Sequence, residues 1–349
     1  MTVATPAHDP VIDAMPAALA TVFGHGSELR QVQRLGGGAS KEAWGVDLEV
    51  DGRLLPLLVR RMGGGVLHDH ALSLAAEHSV IAAAHHAGVP VPRPRGYLPD
   101  LAGRDAFVMD RIAAEGIGRR IVQREEFAPA RTVLAEQMGR ALAAIHRVPL
   151  ADLDILPEQD SGQSPADRVL RQLRHKLDEA DEPHPVIEAG LAWLRRHRER
   201  SGADFCSEAE VLVHGDFRIG NLLVDESGLV AVIDWEFAHR GHPLEDLAWP
   251  LVRAWRFGRD AERCGGVGSA ATYLAAYNED SGSGYTETEL RWWELAGNVR
   301  WAISCLTQAR RHLGGAERNV ELAVLGRLAS EVELDILHLL REARDAGQA

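Results

Sequence analysis

Asp216, Asn221 and Asp234 stand in one stretch, VLVHGDFRIGNLLVDESGLVAVIDWEFAHRGHPLEDLAW (211–249), with Asn221 five residues after Asp216 and Asp234 thirteen after Asn221. A metal-dependent phosphoryl transfer needs a carboxylate to orient the attacking hydroxyl and oxygen ligands to hold Mg2+ against nucleotide phosphates. Asp216 could supply the first, and Asn221 and Asp234 the second. Taken singly, Asp and Asn in loops are ordinary turn or helix caps. Taken together they gain from their surroundings, because LLV and VAVI flank an Asp225 to Gly228 turn. Such a hairpin would return Asp234 beside Asn221.

Positioning these groups takes two kinds of element. From Gln31 to Arg61 the pattern reads strand, Gly-rich turn, strand, Asp51-Gly52 turn, strand, and an Asp-Gly pair between apolar runs signals a hairpin. A helix follows over His70 to Ala87, closed by Gly88, Pro90 and Pro92. Two short strands near Arg95 to Leu98 and Asp105 to Met109 complete an antiparallel sheet of about five strands with one inserted helix. After Arg111 the character becomes helical: Leu134, Met138, Ala141, Leu142 and Ile145 form one stripe. Further helical patterns lie near 165–179, 185–199, 244–256, 267–279, 287–312 and 316–344. Only 210–234 interrupts them with strands. The predicted fold is α+β and bilobal: residues 1–111, with a leading helix, form a small lobe, and residues 112–349 a larger, mainly helical lobe.

Other residues could serve the same chemistry. Gly36, Gly37, Gly38, Ala39 and Ser40 lie between two strands, where small residues let backbone amides approach phosphates, although a plain hairpin turn has the same composition. No GxxxxGK[ST] or GxGxxG sequence occurs. Arg60, in LLVR, takes the place of the lysine in the kinase pattern V-A-I-K. It keeps the charge and changes the geometry from a point to a planar fork. Arg61 falls on the opposite side of the strand and is expected to face solvent. Glu77 is either the helix partner of Arg60 or a solvated glutamate. Arg218 could meet an anionic acceptor or pair with a neighbouring carboxylate. His146 reads as a helix end. Trp292, Trp293, Arg300, Trp301 and Gln308 lie at roughly helical spacing, so they divide between core and cleft.

HGDFRIGN followed by VIDWE resembles the catalytic and metal-binding loops of the aminoglycoside phosphotransferase and choline kinase-like family, relatives of the protein kinases. That resemblance runs from about residue 30 to 340 and implies a kinase-like fold, ATP and Mg2+ as cofactors, and a small-molecule hydroxyl substrate. It makes Asp216 the catalytic base position and Asn221 and Asp234 the magnesium ligands. His214 would steady the loop, and Gly36 to Ser40 would cover the nucleotide. The link Phe107 to Arg111 would bind adenine through the main chain of Met109, Asp110 and Arg111. Asp246 would brace the catalytic loop, unless it is an ordinary first-turn aspartate. Many relatives have Gly-Asp-Pro where this chain has Gly241-His242-Pro243. The arginine at 60, GGGAS, Arg218 and LRWWELAGNVRWAISCLTQARRHL look most like the acyl-CoA dehydrogenase-associated members, which points to a hydroxyacyl-CoA kinase as an alternative to an antibiotic kinase.

Composition narrows the partners. The 38 basic and 51 acidic side chains give a formal charge of -13, which disfavours nucleic acid and anionic membranes. Cys206, Cys264 and Cys305 are odd in number and contain no CxxC, so neither a disulfide framework nor a zinc site is expected. No signal-peptide pattern and no run of about 18 apolar residues occurs, which predicts a soluble cytoplasmic protein, monomeric or homodimeric. A nucleotide-binding regulatory or scaffold protein is the reading from another class. The arginine at 60 favours it, and the joint presence of Asp216, Asn221 and Asp234 opposes it.

Overall fold

A computed structural model describes residues 9–36, 41–64, 71–157, 163–180, 182–201, 205–206, 210–315 and 319–347. Helix α1 (Pro10–Phe23) is capped by the Asp9 carboxylate on the Val11 N–H, and it turns Val11, Met15 and Leu19 inward at one stripe. Strands β1 (Glu28–Leu35), β2 (Lys41–Val50) and β3 (Arg53–Met62) form an antiparallel meander. The β2–β3 turn puts Asp51 at φ 51 and Gly52 at φ 73, the paired left-handed conformation that an Asp-Gly hairpin requires. Helix α2 (Leu74–His86) starts later than the sequence suggests, where the Ser73 hydroxyl caps the Ala76 N–H. Strands β4 (Pro94–Leu98) and β5 (Ala106–Asp110) then complete a sheet of order β1-β2-β3-β5-β4.

The sheet has two buried faces, and they belong to different cores. Trp44, Val46, Leu48, Leu57, Val59 and Val108 pack with α1. Phe107 and Met109 instead join α2 and the helices of the larger lobe in one continuous core. Arg61 corrects an expectation. It does face away from Arg60, but that face is covered, and the guanidinium is buried against the Leu101 and Ala102 carbonyls and the Glu42 carboxylate.

The larger lobe contains α3 (Gly118–Gln123), α4 (Ala128–His146), α5 (Pro165–Asp178), α6 (Pro185–Ser201), α7 (Pro243–Ala248), α8 (Ala270–Ser281), α9 (Glu287–Leu313) and α10 (Val320–Asp345). Helix α9 opens with a reciprocal Thr286–Glu289 capping box. The single helix expected over 244–256 is broken into α7 and two 3-10 turns, because Pro250 lacks the N–H that would continue it. Short strands interrupt the helices: β6 (Val211–Val213) pairs with β9 (His239–Gly241), and β7 (Leu222–Asp225) with β8 (Gly228–Val232). β9 has no counterpart in the sequence reading. Among the described residues two backbone hydrogen bonds join the lobes, from Leu72 N–H to Glu236 O and from Val232 N–H to Pro90 O, each 2.7 Å.

Candidate active site

The β6 strand ends at Val213, and the chain reverses after His214. Gly215 sits at φ 80, and a Cβ there would lie 2.3 Å from the Phe237 carbonyl, so only glycine permits this approach. His214 is fully buried, and burial lowers its pKa against the opposing pull of Asp246, Asp216 and Asp234. The ring is therefore neutral. Its Nδ1 accepts the Asp216 N–H at 3.2 Å, which leaves Nε2 to donate to the Ile233 carbonyl at 3.1 Å. One imidazole thus ties the loop carrying Asp216 to the strand leading into Asp234.

Asp246, in α7, holds the same loop from behind. It accepts the N–H of His214 at 2.6 Å and of Gly215 at 2.9 Å. His146 ends α4 as expected and adds a contact the sequence did not reveal, with Nε2 3.3 Å from Asp246 and Nδ1 2.8 Å from the Tyr277 hydroxyl. Burial pushes the Asp246 carboxyl up, but His146, His214 and the backbone N–H hold it below its ordinary range. His242 caps α7 through Nδ1 on the Leu244 N–H and stacks on Trp293.

Three N–H donors converge on the Asp216 carboxylate. Trp249 Nε1 lies 2.7 Å from Oδ1, Arg218 Nε 3.1 Å from Oδ1, and Asn221 Nδ2 2.6 Å from Oδ2. Asn221 also donates to the Asp216 carbonyl at 2.9 Å. The β7–β8 hairpin returns the chain as its turn residues imply, and the Ile233 N–H reaches the Asn221 carbonyl at 2.9 Å. Asp234 follows at φ 68, a left-handed conformation that a non-glycine residue holds at a cost of about 1–2 kcal/mol. Arg218 lies 4.7 Å over the Trp255 ring, and Arg300 lies 4.7 Å over Trp249 while donating to the Gly215 carbonyl. Trp292 and Trp293 are core residues, and Trp301 meets Trp255 in a tilted ring contact, centroids 4.7 Å apart.

On the facing sheet, Arg60 projects from β3 with both terminal nitrogens 3.3 Å from Asp234 Oδ1. Burial raises the Asp234 carboxyl, and Arg60, Lys41 and His214 outweigh it, so its pKa is lowered. Glu77 is fully buried in α2, but its close partner is Lys41, 2.5 Å from Oε2. Arg60 Nη1 is 3.5 Å from Oε1. Lys41 also lies 2.9 Å from Glu236 Oε2. Gly36 directly follows β1, while Gly37, Gly38, Ala39 and Ser40 fall outside the described residues. In the interlobe link Met109 is buried in the core, and Asp110 pairs with Arg95. Arg111 crosses Gly45 to reach Asp47 at 2.5 Å. The N–H groups of Asp110 and Arg111 are already bonded, to the Arg93 and Pro56 carbonyls.

Lys41, Glu236, Trp249 and Tyr277 are site neighbours that the sequence reading did not single out. Trp249 closes the quoted GHPLEDLAW run, and Glu236 closes VIDWE, so proximity to the motifs was the available signal.

A small antiparallel sheet over a helical lobe, with acidic and amide groups gathered between them, defines a kinase-like phosphotransferase fold. The Phosphotransferase enzyme family matches residues 31–293, most of the chain, and the chain belongs to that family. Among relatives, acyl-CoA dehydrogenase family member 11 of Gallus gallus is 30% identical over 199 residues, covering 55% of this chain and 24% of that protein. Member 10 of Mus musculus is 28% identical over 209 residues, covering 56% and 18%. The chain thus spans about a quarter or less of the length of these relatives. A Ralstonia eutropha JMP134 protein provisionally assigned as an aminoglycoside phosphotransferase superposes with TM-score 0.75 at 19% identity, over 95% of this chain and 98% of that one. A thermostable mutant of aminoglycoside phosphotransferase APH(4)-Ia, in ternary complex with ADP and hygromycin B, gives TM-score 0.59 at 18% identity, over 93% and 98%. These likenesses establish the fold. No helix among the described residues is long and apolar enough to cross a membrane.

Proposed function

We propose that this phosphotransferase moves the γ-phosphate of ATP to a hydroxyl of a small molecule, with Asp216 orienting that hydroxyl for in-line attack. The observation that carries the reading is the Asp216 carboxylate, fixed by Trp249, Arg218 and Asn221 on a loop that faces Arg60 and Asp234. A carboxylate so restrained loses little freedom on meeting its substrate, and positioning is the main source of acceleration in loose phosphoryl transfer. The donor set also suits a hard cation. Asn221 commits its amide N–H groups to Asp216, and Asp234 meets Arg60 through Oδ1 only, so Asn221 Oδ1 and Asp234 Oδ2 have no protein partner among the described residues. Mg2+ held there would neutralise charge on the phosphates. Arg60 would bind the same phosphates once it turns from Asp234, under the loop of Gly36 to Ser40. His214 and Asp246 keep the loop in register. With the Asp110 and Arg111 N–H groups bonded within the sheet, purine readout along the Met109–Arg111 link is left to carbonyls and to the residues just beyond Arg111.

Replacing Asp216 by Ala should lower kcat about 1,000-fold or more while nucleotide affinity stays within about threefold. Near-normal turnover would exclude the assigned role.

A specific feature favours an anionic acceptor such as a hydroxyacyl thioester over a cationic aminoglycoside. Beside Asp216 stand the guanidinium groups of Arg218 and Arg300, each over an indole ring, with Arg218 3.1 Å from Asp216 and Arg300 3.7 Å from Glu245, and their remaining N–H groups are the cationic donors next to the attacking hydroxyl. The relatives named for acyl-CoA dehydrogenases agree with that preference. Incubation with Mg·ATP and pooled aminoglycosides, amino alcohols and hydroxyacyl thioesters, read by mass spectrometry, separates the classes. A phosphate-sized mass gain confined to the aminoglycosides would reject the anionic acceptor.

A further inference from the structure

Five charges of alternating sign run through the cleft, Glu236, Lys41, Glu77, Arg60 and Asp234, linking β2, α2, β3 and the loop after β8. Lys41 stands near one end, 5% exposed, with its ammonium between two carboxylates at 2.5 and 2.9 Å. It is the first described residue after the Gly-rich loop. Composition makes its identity informative: of 38 basic residues, only Lys41 and Lys176 are lysines. A chain that uses arginine almost everywhere keeps at this buried slot a compact ammonium, whose three donors can reach two flanking carboxylates where a planar fork needs more room.

In the kinase pattern one lysine serves both the helix glutamate and the nucleotide phosphates. Here those duties fall on two side chains. Glu77 takes Lys41 at 2.5 Å, while Arg60 stands 3.5 Å from the other glutamate oxygen and turns toward Asp234. Glu77 Oε1 has no hydrogen bond among the described residues, so the Arg60 contact is a loose one.

We propose that Lys41 is a positioning residue for nucleotide binding, holding Glu77 and, through Glu236, the Asp234 loop, so that Arg60 is available to the phosphates. Lys41 acts through these carboxylates and not by touching the nucleotide. This rests on the phosphotransfer reading above.

The test is calorimetric titration of the full chain with Mg·AMP-PNP, using wild type, Lys41→Met, Glu77→Gln and the double variant, with melting temperatures measured alongside. Lys41→Met should weaken binding about tenfold or more, and the double variant should bind within about twofold of the weaker single, because both changes break one connection. Binding by Lys41→Met within about twofold of wild type, or a double-variant loss equal to the product of the single losses, overturns the proposal. A lower melting temperature with unchanged affinity overturns it too, since that is the mark of a purely structural lysine. Should Lys41→Met not fold, Lys41→Gln is made in a Glu77→Gln/Glu236→Gln background, where both carboxylates it acts through are gone, and compared with that background alone. Equal affinity supports the proposal, and a further loss of about tenfold overturns it. If wild type itself binds no Mg-nucleotide, the phosphotransfer reading falls and takes this inference with it. If wild type binds and Lys41→Met is unaffected, only the inference falls.

Discussion

Trp249 shows how an apolar ring can act as a polar restraint. Its indole N–H meets Asp216, and its face carries Arg300, so a single side chain sets both the carboxylate and a neighbouring cation. Trp249→Phe keeps the ring face and removes the donor. Turnover should fall about tenfold with the KM for ATP unchanged, a split visible in steady-state kinetics. Behind the cleft, burial would lower the pKa of His239, but Glu245 raises it above the ordinary value, and Glu245 is correspondingly lowered despite burial. A raised folded-state pKa means that the native state binds the proton more tightly than the unfolded chain does. The stabilisation is complete below about pH 6.5 and disappears as pH rises through the raised value. The melting temperature difference between wild type and His239→Gln should therefore shrink from pH 6 to pH 9. A difference that grows would reverse the sign of the pairing.

At the scale of elements, α4 and α8 approach so closely that a Cβ on Gly139 would lie 2.3 Å from the Tyr273 carbonyl. Gly139→Ala should destabilise the fold by about 1–3 kcal/mol, read from denaturant unfolding, because backbone has to move. Helix α4 also delivers His146 to Asp246, so the same substitution should slow turnover. The elements that the sequence made legible are those with local signals: the Asp51-Gly52 hairpin and the stripe of α4. What it hid was tertiary. Alternation along β3 put Arg61 opposite Arg60, yet nothing local shows that Leu101 and Ala102 cover it. Lys41 and Glu77 are 36 residues apart, and no periodicity links a strand start to a helix interior. The three residues Asp216, Asn221 and Asp234 were readable because one loop and one hairpin carry all of them, which makes their proximity almost a local property.

For the whole molecule, a ligand that binds only the folded state raises stability by mass action. Mg·AMP-PNP at a hundred times its Kd should add about 2.7 kcal/mol, seen as a higher melting temperature, and Mg2+ alone should give much less. The absence of any nucleotide shift would favour a helical structural role over catalysis. The Leu72–Glu236 and Val232–Pro90 hydrogen bonds fasten both ends of α2 to the larger lobe, and α2 shares that lobe's apolar core. The helix therefore travels with the lower half of the molecule, although the chain order assigns it to the upper. Any parting of the outer strands from α2 would therefore have to separate Lys41 of β2 from Glu77 and Glu236, the two ion pairs that fasten the sheet to its own helix and to the larger lobe.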